Sequence, residues 1–379
     1  MKKFDLNAIY ALRRASLATW MAQEGIGALM FQDTEGMRTP NVRYFTGHPM
    51  DAMFVLTVNG SSILCPWDIN LANIKAHVDK IIPYTDFGRT PIQALKGLLK
   101  ILKVPQNSKI EIPSNTPYPQ FLHYVDELAD MQIICREKGS MTVVDSMRTV
   151  KDDYEIYCIK KAAAIGDKII DIIEKDIRNG SIKTETDVAL LIEKELRKAG
   201  CERTGFDTLA AGPSRSWGIH CFPGYTDGPW GTQGLSILDF GVVWEGYTSD
   251  TTLTVAKGPL TQEQKEQLEL VEKAYKESLK FYKPGCKVSE AAIKADEVFA
   301  SKKRIMPHSL GHSYGLECHE FPVMRSIGDN TTILLPGVVE TCEPGLYDPK
   351  IGGCRLENDV LITDDGHEIL THSRIIKID

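Results

Sequence analysis

The sequence lacks several features that define whole classes of protein. No apolar run in its 379 residues approaches the ~20 residues that a transmembrane helix needs. Basic residues do not predominate, and the net charge of −7 argues against a nucleic-acid surface. The nine cysteines show no C-x-x-C spacing, which favours reduced thiols over a disulfide framework. Asp5, Arg13 and Arg14 interrupt any signal-peptide core. We therefore expect a cytoplasmic protein with neither a membrane nor a nucleic-acid partner.

The chain is too long for one ordinary hydrophobic core, and we expect two domains, over residues 1–140 and 141–379. In the first domain helical and strand patterns alternate, which predicts an α/β fold. A hairpin is expected over residues 54–65, with Asn59-Gly60 in a type I′ turn. This part of the sequence contains neither a glycine-rich phosphate loop nor a cluster of candidate ligands. A binding or oligomerisation role suits it better than chemistry.

Four helices are predicted in the second domain. One is expected from Asp152 to about Lys175 and another from Ser289 through Ala300, while Thr184 and Thr261 are predicted to cap the two helices that follow them. The segments between and after these helices are rich in strand-forming residues. The second domain is therefore expected to be α+β.

Residues 236–256 are predicted to form a β-hairpin that carries two aspartates. If Trp244-Glu245 is the turn, Asp239 falls directly opposite Asp250; if Glu245-Gly246 is the turn, the aspartates are diagonal neighbours on one face. Two carboxylates ~4 Å apart repel by roughly 1 kcal/mol in water and about 4 kcal/mol at an effective dielectric near 20. The hairpin therefore favours a cation between them. A surface hairpin whose acids face solvent is the alternative.

Further candidate ligands follow downstream. His308, His312 and His319 lie within twelve residues. His308 and His312 have the spacing of a zincin motif, but that motif needs glutamate at the position of Ser309. Two predicted strands then carry Glu340, Glu343, Arg355 and Glu357. Strand alternation places Glu343 and Glu340 on opposite faces.

The order of these residues carries a family resemblance. The pattern is Asp239, ten residues, Asp250, then Gly311-His312, His319-Glu320-x-Pro322, Glu343-Pro-Gly and Arg355-x-Glu357. It resembles the pita-bread dinuclear metallopeptidases, which comprise methionine aminopeptidases, Xaa-Pro aminopeptidases and prolidases, with creatinase as a relative. Asn41-Val-Arg-Tyr-Phe-Thr-Gly47 and Arg148-Thr-Val-Lys151 with Glu155 resemble segments of the creatinase and prolidase branch. The resemblance implies a creatinase-like α/β N-terminal domain and an α+β pita-bread catalytic domain.

The resemblance also implies a metal site. Its ligands would be Asp239, Asp250, His312, Glu343 and Glu357, with Asp250 and Glu357 bridging two divalent ions. Four carboxylates balance the charge of two such ions. Oxygen-dominated coordination with one imidazole favours Mn²⁺ or Co²⁺, with Zn²⁺ and Fe²⁺ as alternatives. Two ions ~3.5–4 Å apart can hold a bridging hydroxide and polarise a carbonyl.

The same resemblance assigns catalytic roles. His220 takes the place of a substrate-contacting histidine, and His319 that of an imidazole that bonds the substrate or the oxyanion. His308 matches a histidine that prolidases and Xaa-Pro aminopeptidases share, and Glu343 doubles as general base. Arg355 is expected to orient a ligand carboxylate. Ordinary buried histidines are the alternative for His220 and His308.

The implied activity is metal-dependent hydrolysis of Xaa-Pro bonds, as dipeptidase or aminopeptidase, by a homodimer in which one subunit's N-terminal domain borders the other's active site. One alternative is a relative that acts on a small molecule, as creatinase, ectoine hydrolase or a sulfonium lyase does. Another is a binding protein without catalysis, which the presence of all five ligands disfavours. The sequence departs from the family pattern at Leu253, Ser313-Tyr314 and Glu340. The resemblance therefore does not define the substrate pocket.

Overall fold

The computed structural model of the protein describes residues 3–328 and 331–379. The chain forms two compact units, residues 1–147 and 148–379. The division falls within a helix over Ser140–Thr149. The boundary predicted after residue 140 lies at the start of that helix. No helix of the described residues is long and apolar enough to cross a membrane.

The first unit is built on one mixed sheet. Its strands are β1 (Ala28–Asp33), β2 (Ala52–Thr57), β3 (Ser62–Pro66), β4 (Lys80–Ile81), β5 (Lys109–Glu111) and β6 (Gln132–Ile134). Its helices are α1 (Leu6–Glu24), α2 (Pro40–Thr46), α3 (Ile69–Lys75), α4 (Pro91–Ile101), α5 (Tyr118–Glu127) and α6 (Ser140–Thr149), with a 3₁₀ turn at Tyr84–Phe87. The strands lie in the order β4-β3-β2-β1-β5-β6, and β1 pairs in parallel with β5 and antiparallel with β2. The predicted α/β class is confirmed.

The hairpin of β2 and β3 is present, but the predicted type I′ turn at Asn59-Gly60 is wrong. Leu56 pairs with Ser62, and the Thr57 amide donates to the Ser61 carbonyl at 3.0 Å, so the loop is one residue longer. Gly60 takes a positive φ of 86°, as expected at the end of a three-residue loop. The Asn59 side chain bonds the Thr57 hydroxyl and the Ser61 amide, and these local bonds stabilise the longer loop.

The second unit places short sheets between two pairs of helices. The helices are α7 (Asp153–Arg178), α8 (Glu185–Lys198), α9 (Gln262–Leu279) and α10 (Val288–Ala300). The strands are β7 (Arg203–Thr204), β8 (Leu209–Ala211), β9 (Gly234–Phe240), β10 (Val242–Trp244), β11 (Tyr247–Thr248), β12 (Thr251–Lys257), β13 (Gly311–Ser313), β14 (Glu320–Met324), β15 (Val339–Cys342), β16 (Gly345–Asp348), β17 (Gly352–Arg355), β18 (Asn358–Ile362), β19 (His367–Ile369) and β20 (Ile375–Ile378). The caps predicted at Thr184 and Thr261 are confirmed, Asp152 is the N-cap of the helix that was predicted to start there, and α10 starts one residue before Ser289.

Alternation along the strands separates core residues from polar ones. Leu238 and Phe240 of β9 pack with α7 and α8, so Asp239 between them points to the other face. On β12, Leu253 and Val255 join the same core and leave Thr252 and Thr254 on the polar face. A second core, formed by α9 and α10, packs against β15 to β18. The apolar faces of these sheets therefore pack into two hydrophobic cores, and their polar faces are turned away from the helices.

The hairpin with the two aspartates adopts the second of the predicted registers. Trp244 pairs with Tyr247, and Glu245-Gly246 forms the turn with φ angles of 48° and 88°. Asp239 consequently pairs with Thr252 and is the diagonal neighbour of Asp250. The directly opposed register is wrong, because it would place a residue other than glycine at the second position of the type I′ turn.

Gly241 permits the close approach between the two arms of this hairpin. A Cβ atom at position 241 would lie 1.9 Å from the Ser249 carbonyl oxygen, which is a backbone atom one residue before Asp250. Because glycine has no side chain, the backbones of the two strands can approach each other closely next to Asp239 and Asp250.

We predict that Gly241→Ala lowers the free energy of unfolding by about 2 kcal/mol or more, because the new methyl group overlaps backbone that cannot move without displacing Asp250. Urea denaturation measures the change. Gly366→Ala is the matched control: no heavy atom lies within 4 Å of its added Cβ, and we expect a change within about 0.5 kcal/mol. Equal stability of the two variants would contradict the prediction.

Candidate metal centre

One cavity of the second unit, of about 460 Å³, gathers all the side chains predicted for the site. Its walls include His220, Asp239, Asp250, His308, His312, His319, Glu343, Arg355 and Glu357. We call it the metal cavity. The five predicted ligands come from the end of β9, the start of β12, β13, the end of β15 and the junction of β17 and β18. Residues more than a hundred positions apart in the sequence therefore meet in one place.

Three of the five predicted ligands converge closely. One ligand atom each from Asp250, His312 and Glu357 lies within 4.8 Å of the others. The His312 Nε2 atom is 3.4 Å from Glu343 Oε1 and 3.8 Å from Asp250 Oδ2. The Asp239 Oδ1 atom is buried and has no hydrogen-bond partner among the described residues. This atom and the converging group are suited to a cation.

The protonation of His312 gives an independent test of this fit. Its Nδ1 lies 3.1 Å from the Ser313 carbonyl oxygen and therefore carries the proton as donor. Burial, with a smaller effect from His319, lowers the pKa of His312 to about 4, so the ring is neutral. Its Nε2 lone pair then faces the carboxyl oxygens of Glu343 and Asp250, and a cation, or a proton on one of these carboxyls, would relieve the repulsion between the acceptors.

Burial and mutual repulsion both raise the pKa values of the carboxyls in the cavity. Burial first, and then the neighbouring Asp239, raise the pKa of Asp250 well above its ordinary value. Burial raises the pKa of Glu357 in the same way, followed by the effect of Asp250. The pKa of Glu343 rises to about 8, again mainly through burial. Without a cation the cavity therefore favours protonated acids, and a bound cation would allow them to ionise.

Arg355 begins a chain of hydrogen bonds that ends at His308. Its Nη2 donates to Asp239 Oδ2 at 2.6 Å, and its Nη1 donates to the Tyr347 hydroxyl at 2.6 Å. His308 Nδ1 donates to the Ser309 carbonyl at 2.7 Å, so Nε2 accepts from the Tyr347 hydroxyl at 3.0 Å. Both ring nitrogens of His308 are thus bonded within the protein. The expected orienting role of Arg355 is consistent with this geometry.

Four side chains that the sequence did not identify also support the cavity. The Thr252 hydroxyl donates to Glu357 Oε2 at 2.6 Å, and the Thr341 hydroxyl donates to Glu343 Oε1 at 3.3 Å. Asp359 Oδ2 accepts the Asp250 amide at 3.1 Å, and Cys318 Sγ donates to Asp250 Oδ2 at 3.2 Å. Strand alternation could have identified three of them, because residues two apart in a strand share a face. Thr252 lies two residues after Asp250, Thr341 two before Glu343, and Asp359 two after Glu357. Cys318 gave no such signal.

The segment Arg148–Lys151 anchors the start of β14. Arg148 Nη2 donates to Glu317 at 3.0 Å and also bonds Glu320. Lys151 Nζ donates to Ser313 Oγ at 3.0 Å and to Glu320 Oε2 at 3.2 Å. Although burial opposes ionisation, Lys151 and Arg148 lower the pKa of Glu320. This buried network fixes the residue that follows His319.

The remaining two histidines lie at the open side of the metal cavity. His319 is exposed, and its ring centroid lies 4.1 Å from that of His312. His220 is also exposed, in the segment between β8 and β9. The alternative of an ordinary buried histidine is therefore wrong for His220. His308 is partly buried.

The fold and the cavity together define a class, the pita-bread metallopeptidases with a creatinase-type first domain. Residues 157–364 match the metallopeptidase family M24, and residues 13–150 match the creatinase/prolidase N-terminal domain. The chain belongs to metallopeptidase family M24. The predicted family and fold are confirmed, and membership implies divalent metal ions.

Relatives and solved structures agree with this family. The chain is 32% identical over 338 residues to an Xaa-Pro dipeptidase of Pyrococcus horikoshii, covering 88% of this chain and 91% of that one. An X-Pro aminopeptidase from Thermotoga maritima superposes with a TM-score of 0.83 at 28% identity, over 97% of this chain and 99% of that one. A prolidase from Pyrococcus furiosus gives a TM-score of 0.79 at 26% identity, over 94% and 99%.

For protein stripped of metal by a chelator, we predict that the free energy of unfolding falls as the pH rises from about 5 to about 8. The Glu343 carboxyl has an ordinary pKa of 4.5 and a pKa of about 8 in the fold, so the folded state retains a proton that the unfolded chain has released. Urea denaturation across this range measures the slope. Glu343→Gln cannot titrate and should show a smaller fall. A wild-type slope equal to that of the variant would contradict the prediction.

Proposed function

We propose that the protein hydrolyses peptide bonds that precede proline, using two divalent ions held by Asp239, Asp250, His312, Glu343 and Glu357. The observation that carries the proposal is the convergence of the neutral His312 Nε2 and carboxylate oxygens at 3.4–3.8 Å. The Xaa-Pro relatives of this family support the substrate class. The donor set is mostly oxygen with one imidazole, which favours Mn²⁺ or Co²⁺.

The bound ions supply a Lewis acid for the scissile carbonyl and an activated water molecule. The side chains of the protein provide the rest of the chemistry. Thr341 holds Glu343 Oε1, which leaves the Glu343 carboxylate placed to accept a proton from the attacking water. His319 and His220 line the cavity and are exposed, and in this proposal they donate hydrogen bonds to the oxyanion and the substrate. His308 stays a catalytic candidate; in this structure it supports Tyr347.

This site suits a proline-containing bond for a physical reason. The amide before proline has no N–H, and proline fixes φ near roughly −65°. Peptidases that hold an extended backbone through its N–H groups therefore bind such a bond poorly. The metal cavity needs an accessible carbonyl and a positioned water, and it needs no amide hydrogen.

We also propose that the protein is a homodimer and is cytoplasmic. The first unit supports the dimer, since it resembles the creatinase-type domain and contains none of the residues of the metal cavity. All nine cysteines are free thiols, which supports a reducing compartment. Sedimentation that shows monomer at high concentration would refute the dimer.

We predict that excess Mn²⁺ added to chelated protein raises the unfolding midpoint and that elemental analysis finds two ions per chain. The stabilisation should reach about 2.7 kcal/mol when free metal is ~100 times its Kd. Glu357→Gln should bind fewer ions and lose most of the shift. Glu368→Gln, at a half-exposed glutamate of β19, is the matched control and should behave as wild type. Failure of the wild type to bind any divalent ion would refute the proposed site.

We predict that the metal-loaded protein cleaves Ala-Pro at least about a hundredfold faster than Ala-Ala, measured as kcat/KM. His319→Ala should lower kcat and kcat/KM by similar factors, about 10²–10³, because an oxyanion contact forms mainly in the transition state. His123→Ala, at an exposed histidine of the first unit, should change neither constant.

Two results would reject this assignment. Equal turnover of Ala-Pro and Ala-Ala would remove the requirement for proline. No turnover of any peptide with two ions bound would favour the small-molecule or binding-protein alternatives instead.

A further inference from the structure

A second cavity opens beside the metal cavity and shares part of its wall. We call it the side groove; it lies between residues 304–310 and 324–328, with Ala292, Asp296 and Ala300 of α10 beneath. His308, Ser309 and Arg325 line both cavities. The metal cavity measures about 460 Å³ and the side groove about 780 Å³. A volume of 460 Å³ is already within the range of small-molecule sites, so the groove provides room beyond a dipeptide.

The walls of the side groove are fixed by internal bonds. Arg304 Nη2 donates to Gln267 Oε1 at 2.8 Å, and the Ser326 hydroxyl donates to Asp296. These polar groups are therefore bonded within the protein. The groove is consequently formed before a ligand binds, which lowers the entropy that binding would cost.

The groove combines apolar surface with an exposed rim of isoleucines. Met306, Leu310 and Met324 are buried in its walls. Ile305 and Ile327, at 85% and 81% exposure, are among the most exposed large apolar side chains of the described residues. Apolar surface concentrated at the mouth of a concave site is typical of a site that binds an apolar ligand.

Charge indicates the direction in which a peptide would lie. Asp207 lines the metal cavity but not the groove, and its exposed carboxylate suits the ammonium group of the first residue of a peptide. Arg325, on the shared wall, is a cation that would repel that ammonium group and suits the carbonyl and carboxylate oxygens farther along the chain. A peptide placed in this way has its first residue near Asp207 and leaves the metal cavity past Arg325, into the groove.

We propose that the side groove binds the residues that follow proline, so that the preferred substrates are Xaa-Pro peptides of three or more residues with apolar residues after the proline. This inference rests on the proposed Xaa-Pro activity. The protein is then an aminopeptidase on apolar peptides more than a dipeptidase. Dipeptides use the metal cavity alone and forgo the apolar contacts of the groove.

The test compares Ala-Pro, Ala-Pro-Leu-Leu and Ala-Pro-Ser-Ser as substrates of the full-length, Mn²⁺-loaded protein. We expect kcat/KM for Ala-Pro-Leu-Leu to exceed that for each of the other two by about tenfold. In the double variant Ile305→Ser/Ile327→Ser this ratio should fall to near one. Both positions are exposed, so the substitutions leave the core intact. Ile74→Ser is the matched control, since Ile74 is 78% exposed, belongs to the first unit, and should preserve the ratio.

Three outcomes overturn the inference while the Xaa-Pro activity stands. One is cleavage of Ala-Pro with slower cleavage of both tetrapeptides. Another is a preference for Ala-Pro-Leu-Leu that the double variant retains. The third is a wild-type dimer that the double variant converts to monomer in sedimentation, which would assign the groove to the subunit interface. Failure to cleave any of the three peptides with two ions bound would reject the Xaa-Pro activity, and the inference with it.

Discussion

Repulsion among buried carboxyls is the constraint on which this structure depends. Asp239, Asp250, Glu343 and Glu357 line one cavity, and two like charges less than 5 Å apart repel by roughly 3–4 kcal/mol at an effective dielectric of 20. Arg355 compensates one of these charges through its bond to Asp239. The rest of the repulsion must be borne by the two hydrophobic cores, by protonation or by bound cations. Protonation and bound cations are therefore the two local ways in which this cavity can relieve the repulsion.

The arrangement of strands follows from that constraint. Each ligand-bearing strand places its apolar residues in a core formed with helices and its acidic residue on the opposite face, as Leu238, Asp239 and Phe240 show. Hydroxyls on the polar face then fix the acids: Thr252 bonds Glu357, and Thr341 bonds Glu343. These hydrogen bonds orient the acids toward the cavity.

Much of the fold and the cavity could be predicted from the sequence, because each relied on a local pattern or on residue order. The caps at Thr184 and Thr261 are local, and so is the turn at Glu245-Gly246. The prediction of a type I′ turn at Asn59-Gly60 was wrong because the Asn59 side chain stabilises a longer loop. Cys318 could not be assigned, because its bond to Asp250 joins residues 68 positions apart and no strand pattern marks it. Nothing in the structure explains the fully buried Glu340.

A single chain of hydrogen bonds connects the acids with the wall of the side groove. Asp239 accepts from Arg355, Arg355 also donates to Tyr347, and Tyr347 donates to His308. His308 in turn lines both cavities. Arg355 is buried, and the Tyr347 hydroxyl accepts from it and donates to His308, so a shift of His308 would disturb a partner of Asp239. The position of the acid cluster and the wall of the side groove are therefore coupled through the same four side chains.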